Sequence, residues 1–493
     1  MVVIKMAQEK RIEDFQVNDT YSFCRIFTEK DFAAFSELSG DKNPLHHDAN
    51  YASKTAFSEP IVPLHLAASP LSAIAGMIFP GHKSLYLSHQ LKAFNPVPYN
   101  IELTYSAKII AIDLTNRILT VRTIVFHERQ LLIEAEQKIQ VRDDTVEIKE
   151  VDGLCHSGAF IQPSQSILLT GAAGELGQSI AHRFAHLGYD LILQVRKKTA
   201  DVRTLIDDLE SQYAIEVDVM ECDLTKCGVA EFESLLTRLN QKAACVVHCA
   251  SPALTSDIAS LMSVNYAAMK NLSDALLPQW LEQQNGTLIF VSSSAMHFHP
   301  EGWQDYSAAK AAGVNFCSSF NHHFQSMGLN AKVISPGLIS TNFSAQVADQ
   351  SNAMLPEQVA EAITELYESD QSFFLWVEKN MTRSGGYGFF AKQDTIQALP
   401  TEKSQTTSTI QNDSGDKLAT ALQSLIIKHL GLPQETDWSS AGVAITPKWD
   451  SLNHMLLLVE VERQFGVSVA SFEMDRTTTY QQLFSMLAEK LSG

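Results

Sequence analysis

Tyr306 and Lys310 stand four residues apart in the stretch IFVSSSAMHFHPEGWQDYSAAK, and Ser293 lies thirteen residues before the tyrosine. On a helix the first spacing puts phenol and ammonium on one face. A lysine cation there stabilises a tyrosinate and draws the phenol pKa towards neutrality, which suits a proton donor. A serine at the end of the preceding strand adds a hydroxyl that hydrogen-bonds a substrate carbonyl. A second constellation lies in SGDKNPLHHD, where Asp41 and His46 are five apart across an Asn-Pro turn that stops helix continuation. A carboxylate beside an imidazole suits the addition or removal of water across a C=C next to a carbonyl, one group handling the α-proton and the other the departing hydroxyl. A third candidate is Ser451, between Asp450 and Leu452, at the start of the apolar stretch DSLNHMLLLVEVERQFG.

The elements that must hold these residues fall into three segments. Up to about residue 145 there is one long apolar helix candidate, Leu64–Phe79, followed by the strand candidates SLYLSHQLKAF, IELTYSAKIIAI, ILTVRTIVFH and LLIEAEQKIQV. That pattern predicts an α+β module, an antiparallel sheet wrapped round one helix. The middle segment alternates short buried strands (SILLT, DLILQV, ACVVHCA, TLIFVSS, NAKVIS) with helical stretches, the signature of a parallel α/β sheet. The span KQDTIQALPTEKSQTTSTIQNDSGDK is rich in Gln, Thr, Ser and Asp and reads as a flexible tether. Beyond it, apolar positions 452, 455, 456 and 459 follow helical spacing and predict a small all-α bundle. The expected limits are residues 1–145, a linker 146–165, residues 166–390, a tether 391–415 and residues 416–493.

In the middle segment SILLT runs into GAAGELG, placing Gly171, Gly174 and Gly177 at the mouth of a helix, where backbone N–H groups and the helix dipole favour a pyrophosphate. The next strand ends in Arg196-Lys197-Lys198, where basic groups fit a 2′-phosphate, so the expected cofactor is NADPH. A net charge of −19 over 493 residues argues against nucleic acid or an anionic membrane as the main partner. No apolar run of about 18 residues occurs, so no membrane span is expected. The seven cysteines show no CxxC pairs and no matching His spacing. They read as reduced thiols of a cytoplasmic protein, with no metal site.

Residues 166–388 resemble the short-chain dehydrogenase/reductase family, particularly its 3-oxoacyl-carrier-protein reductases, on GAAGELG, SVNYAAMKN, Ser293, Tyr306-x-x-x-Lys310 and SPGLIST. The resemblance implies a Rossmann-type doubly wound sheet. It implies catalytic roles for Ser293, Tyr306, Lys310 and Asn265, the last holding a proton-relay water. Asp223 would touch adenine, Ala250 in HCAS would line the cofactor, and Pro336, Gly337 and Thr341 would flank the nicotinamide. Glu175 stands where many members carry glycine.

Residues 10–142 resemble the MaoC-like (R)-specific enoyl hydratase/dehydratase family, of hot-dog fold, on SGDKNPLHHDANYASKTAF and SLYLSHQLKAFNPVPYNIEL. This implies that Asp41 and His46 are a catalytic dyad, with Asn43 shaping the loop. Two positions depart: Pro63-Leu64-His65 replaces a His-Gly whose backbone N–H polarises the thioester, and Tyr99-Asn100 replaces a later Gly-Asp. Residues 416–493 resemble acyl carrier proteins, implying a 4′-phosphopantetheine arm on Ser451 installed by a phosphopantetheinyl transferase. The three resemblances together imply acyl thioester substrates reduced and dehydrated in one chain, with a condensing enzyme or acyltransferase supplied in trans. A homodimer or higher homo-oligomer is implied by the first two. Two alternatives stand beside this expectation: a scaffold whose hot-dog module is vestigial and serves dimerisation, and a reductase acting on free acyl-CoA.

Overall fold

The computed structural model describes residues 11–143, 158–239, 242–298, 300–344, 350–351, 353–369, 374–378, 381–385 and 414–430, with 432, 436, 438, 441, 446, 449, 457–458, 460–461, 464–465, 467 and 479–492. The chain divides into two compact units, Met1–Ala391 and Lys392–Gly493.

The first unit begins with β1 (Thr20–Ile26), α1 (Glu29–Ser39), α2 (Ala49–Ala52), β2 (Ile61–Val62), α3 (Leu64–Ala67) and α4 (Pro70–Ala73). Next come β3 (Ser84–Ala93), β4 (Val97–Pro98), β5 (Glu102–Asp113), β6 (Ile118–His127), β7 (Gln130–Val141) and β8 (Gly158–Phe160). Six of these strands form one antiparallel sheet in the order β3-β7-β6-β5-β1-β8. Alternation along β5 sends Leu103, Tyr105, Ala107 and Ile109 to a core they share with Leu66, Leu71 and Ile74. The expected single helix Leu64–Phe79 is instead broken. Pro70 has no N–H to donate, so α3 stops at Ala67, α4 starts afresh at Pro70, and a π-turn covers Ile74–Ile78. Two sheet side chains hold the broken segment in place: Tyr105 Oη donates to Ala67 O at 2.6 Å and Gln137 Nε2 to Leu71 O at 3.0 Å.

The second half of this unit contains β9 (Ser166–Thr170), α5 (Glu175–His186), β10 (Leu191–Val195), α6 (Ala200–Gln212), β11 (Val217–Glu221), α7 (Val229–Leu239) and β12 (Ala243–His248). It continues through α8 (Ile258–Met262), α9 (Met269–Gln283), β13 (Gly286–Val291), α10 (Ala295–Phe298), α11 (Gln304–Phe324), β14 (Leu329–Pro336), α12 (Pro356–Glu368), β15 (Phe374–Glu378) and β16 (Met381–Gly385). The sheet order is β11-β10-β9-β12-β13-β14-β15-β16, parallel throughout except for the antiparallel edge strand β16. The strand order turns back at β9, running outward to β11 on one side and resuming with β12 on the other, and this makes the switch point at which such sheets bind ligands.

The two halves pack directly on each other. The even-numbered face of β5, away from its own core, meets the C-terminal end of α9: Ser106 Oγ donates to Glu282 O at 2.7 Å and Lys108 Nζ to Gln284 O at 3.1 Å. Gln284, in a left-handed conformation (φ 45°), donates through Nε2 to Ser106 O and Arg122 O and accepts from Arg122 Nε at 2.7 Å. Around this polar knot Ile124, Phe126 and Leu131 join the core that contains Leu276, Leu277 and Trp280.

In the second unit, α13 (Ser414–Leu430) and α14 (Tyr480–Ser492) bury Leu422, Ile426, Leu483 and Leu487 with Trp449, Leu457 and Val461. Asp450 and Ser451 lie outside the described residues. No helix among the described residues is long and apolar enough to cross a membrane.

Gln284→Ala removes the partner of a buried Arg122 Nε and of two buried carbonyls, and should lower unfolding stability by about 2–4 kcal/mol. Leu38→Ala, at an 89% exposed position, should change it by less than about 0.5 kcal/mol. Urea unfolding of the full chain compares the two.

Candidate active sites

The first site is built by the turn after α1. Gly40, left-handed at φ 76°, ends the helix, and Ser36 Oγ donates to Asp41 O at 2.6 Å, tying the turn back onto it. Asp41 Oδ1 accepts from Asn43 N at 3.0 Å, and Asn43 Oδ1 accepts from Leu45 N at 3.1 Å, capping a 3₁₀ turn that opens with Pro44. His46 then hydrogen-bonds through Nδ1 to Ile61 O at 2.8 Å. A carbonyl only accepts, so that nitrogen carries the proton and Nε2 is left as the basic atom. Nε2 stands 3.9 Å from Asp41 Oδ2, so the expected pair does meet. Pro63, at the N-cap of α3, offers no N–H to an incoming carbonyl, leaving Leu64 and His65 as the next backbone donors. Tyr99, one of the two departures from the MaoC-like pattern, has a buried hydroxyl with no hydrogen-bond partner. Burial pushes its phenol up to about 12, with Glu29, Asp31 and Asp41 adding to the effect.

The second site is a cavity of about 790 Å³ at the switch point of the parallel sheet. Gly171, Gly174, Gly177, Arg196, Asp223, Ala250, Ser293, Tyr306, Lys310, Pro336, Gly337 and Thr341 all line it. Lys197 and Lys198 are exposed and do not, so of the basic triplet Arg196 alone faces the cavity. The glycine positions are dictated by clearance. A Cβ on Gly177 would lie 2.3 Å from Gly171 O, and one on Gly171, already at φ 71°, would lie 2.8 Å from Ala250 Cα. Gln194, the buried polar residue in an otherwise apolar strand, holds the turn: its Oε1 accepts from Gly171 N at 3.0 Å and its Nε2 donates to Cys222 O at 2.9 Å. Its isolation among apolar residues was the signal by which the sequence could have found it.

Tyr306 and Lys310 lie on the inner face of α11, both buried, with Lys310 Nζ 5.7 Å from the Tyr306 ring centroid and donating to Val291 O at 2.7 Å. The expected lowering of the phenol by the lysine is not what this site holds. Burial pushes Tyr306 up, and the Ser293 hydroxyl hydrogen-bonded to it pulls only part of the way back. The same burial brings Lys310 down to about 8. Asn265 is fully buried within a π-turn, Ser263–Ala268, donating through Nδ2 to Leu261 O at 3.0 Å and Ser251 Oγ at 3.3 Å. Its Oδ1 has no partner. Asp223 sits beside the cavity, held by Thr225 N and Oγ1 at 3.1 and 2.8 Å. Among the described residues no group of three or more His, Cys, Asp or Glu side chains could hold a metal ion.

Comparison with known proteins matches two separate stretches of the first unit. Residues 10–124 match the MaoC like domain family model and residues 165–352 the short chain dehydrogenase model. The (R)-specific enoyl-CoA hydratase of Aeromonas caviae is 35% identical over 114 residues, 23% of this chain and 85% of that protein. Dehydrogenase/reductase SDR family protein 7-like of Drosophila melanogaster is 28% identical over 228 residues, 41% of this chain and 69% of the relative. The 3-oxoacyl-acyl-carrier-protein reductase FabG of Staphylococcus aureus is 22% identical over 204 residues, 40% of this chain and 83% of its own. Among solved structures, a short-chain dehydrogenase from Sphingobium yanoikuyae in complex with NADPH aligns with a TM-score of 0.38 and 22% identity, over 41% of this chain and 84% of that one.

Tyr99→Phe deletes an unpartnered buried hydroxyl and should raise unfolding stability by about 1 kcal/mol. A thermal denaturation midpoint at or below that of the unchanged protein would contradict this account of Tyr99.

Proposed function

We propose, for a chain that belongs to the MaoC-like family through residues 10–124, a bifunctional 3-oxoacyl thioester reductase and 3-hydroxyacyl dehydratase or enoyl hydratase that carries its own acyl carrier module. One observation carries the reading: Ser293, Tyr306 and Lys310 open onto the same cavity as the glycine-rich turn and Arg196. That cavity fits NADPH. Its glycine turn admits no Cβ at Gly171 or Gly177, it opens at a helix N-terminus, and Arg196 offers a cation for a 2′-phosphate. Bound there, the cofactor supplies a hydride.

The chain's own residues do the rest. Ser293 hydrogen-bonds the substrate carbonyl and Tyr306 Oη delivers a proton to that oxygen as it gains charge. Lys310, close to neutral pH in its affinity for a proton, holds positive charge beside the phenol and resupplies the proton. Asn265, with an unpartnered Oδ1, holds the water that feeds Lys310. Asp223, Ala250, Pro336, Gly337 and Thr341 frame the adenine and nicotinamide ends.

At the other site the free Nε2 of His46 and the carboxylate of Asp41 share the acid–base work of moving water across the C2–C3 bond of the thioester. Ser451 would carry the acyl chain on phosphopantetheine, raising its effective concentration at both sites. On this reading the modules are residues 1–145, 166–390 and 416–493, joined by 146–165 and 391–415. A second reading, in which the N-terminal module is a scaffold, has Pro63 in its favour, since the backbone donor is missing there.

Tyr306→Phe should reduce NADPH-dependent reduction of acetoacetyl thioester by more than about 100-fold while crotonyl-thioester hydration continues. Asp41→Asn and His46→Ala should do the reverse. Intact-mass measurement after co-expression with a phosphopantetheinyl transferase should show the added arm, and Ser451→Ala should abolish it. A scaffold would show no crotonyl-thioester hydration in the unchanged protein, leaving the dyad variants no activity to lose.

A further inference from the structure

Glu175 occupies the first turn of α5, directly after the N-cap Gly174, and lines the cofactor cavity. A carboxylate in that place is favoured by the helix dipole, but it competes with an incoming phosphate for the same positive end. In the structure both its oxygens are taken. Asn342 N donates to Oε2 at 2.6 Å and Asn342 Nδ2 donates to Oε1 at 2.8 Å. Asn342 opens the 3₁₀ turn Asn342–Ser344 that follows β14 across the cavity mouth. The next residue, Phe343, is 41% exposed yet has its ring 6.2 Å from that of Tyr306. Two hydrogen bonds on one carboxylate thus connect the glycine-rich turn to the aromatic side chain over the proton donor.

We propose that Glu175 and Asn342 form a latch: Glu175 positions Phe343 against Tyr306, where it borders the acyl substrate, and Asn342 draws the carboxylate away from the cofactor's pyrophosphate. Both are positioning residues, and the inference rests on the NADPH reading above. It also accounts for an acidic residue in a glycine-rich phosphate turn. The charge is tolerated because two donors from the loop across the cavity engage it.

The two partners should therefore act oppositely on the cofactor and alike on the substrate. Glu175→Ala removes the competing charge, so NADPH, followed by its fluorescence on titration into the full-length protein, should bind about three- to tenfold more tightly. Asn342→Ala deletes the Nδ2 bond to Oε1 and keeps only the backbone N–H on Oε2, so it loosens the carboxylate and should weaken NADPH binding about two- to threefold, and the double variant should behave as Glu175→Ala. Both single variants should raise KM for acetoacetyl thioester several-fold with kcat changed less. Glu175→Gln keeps an acceptor for Asn342 N without the charge, so it should bind NADPH tightly and retain a KM near that of the unchanged protein. Shifts of NADPH affinity in the same direction for Glu175→Ala and Asn342→Ala overturn the latch, as does an unaltered KM in both. No saturable NADPH binding by the unchanged protein overturns the reductase reading itself.

Discussion

The two catalytic modules are held by the way one helix ends. The last carbonyls of α9 need partners, and they find them on the outer face of β5, in Ser106 and Lys108. Gln284 follows immediately and folds back between β5 and β6, where its amide is both donor and acceptor. Since α9 also packs against β13, which leads to Ser293, and against α11, which carries Tyr306, anchoring its end to the antiparallel sheet fixes one site relative to the other. The cost is a buried cation. Lys108 is brought down to about 8 by burial and by the nearby Arg122 guanidinium. That penalty is fully present below pH 8 and fades as pH climbs towards the ordinary lysine value, so the joint is least strained in mild alkali.

Burial governs the chemistry of the reductase-like site. It raises Tyr306 and depresses Lys310, bringing the phenol's proton under firmer hold and the ammonium's proton nearer to release. His248, directly under the site, is held neutral, at about 3, by its own burial and the Lys310 charge. It serves as a strut between Thr170 Oγ1 and Val264 O. In the dyad the imidazole is instead set by one bond to Ile61 O, which selects the tautomer that leaves Nε2 free to face Asp41.

Much of this was legible in the sequence because the signals are local. The glycine turn, the Tyr306–Lys310 spacing and the Asp41–His46 loop each encode their geometry within a few residues. Strands β3, β5, β6 and β7 of the antiparallel sheet and β9, β10, β12, β13 and β14 of the parallel one are likewise legible from periodicity. What was missed depends on distant partners. Strand β1 (TYSFCRI) and β11 (VDVME) are too mixed in polarity for periodicity to single out, and only their neighbours make them strands. The break at Pro70 was visible but outvoted by a run of apolar residues. The raised phenol of Tyr306 could not be read from spacing, because burial is a property of the fold. Asn342 gave no sign at all, its role being defined by Glu175, 167 positions earlier.

Strand β8 carries a last implication. It lies in the stretch expected to be linker, yet it pairs with β1, and Phe160 sets its ring edge-on against Tyr21 and Phe79. Any side chain on Gly158 would strike the Tyr21 ring, so the fit is specified. The sheet is therefore completed by chain that comes after it, on the way to the next module. An N-terminal fragment severed at residue 145 would bare β1 as an open ribbon edge, inviting self-association. Moving this module into another chain would therefore mean taking the strand of its downstream connector with it, since that strand covers β1.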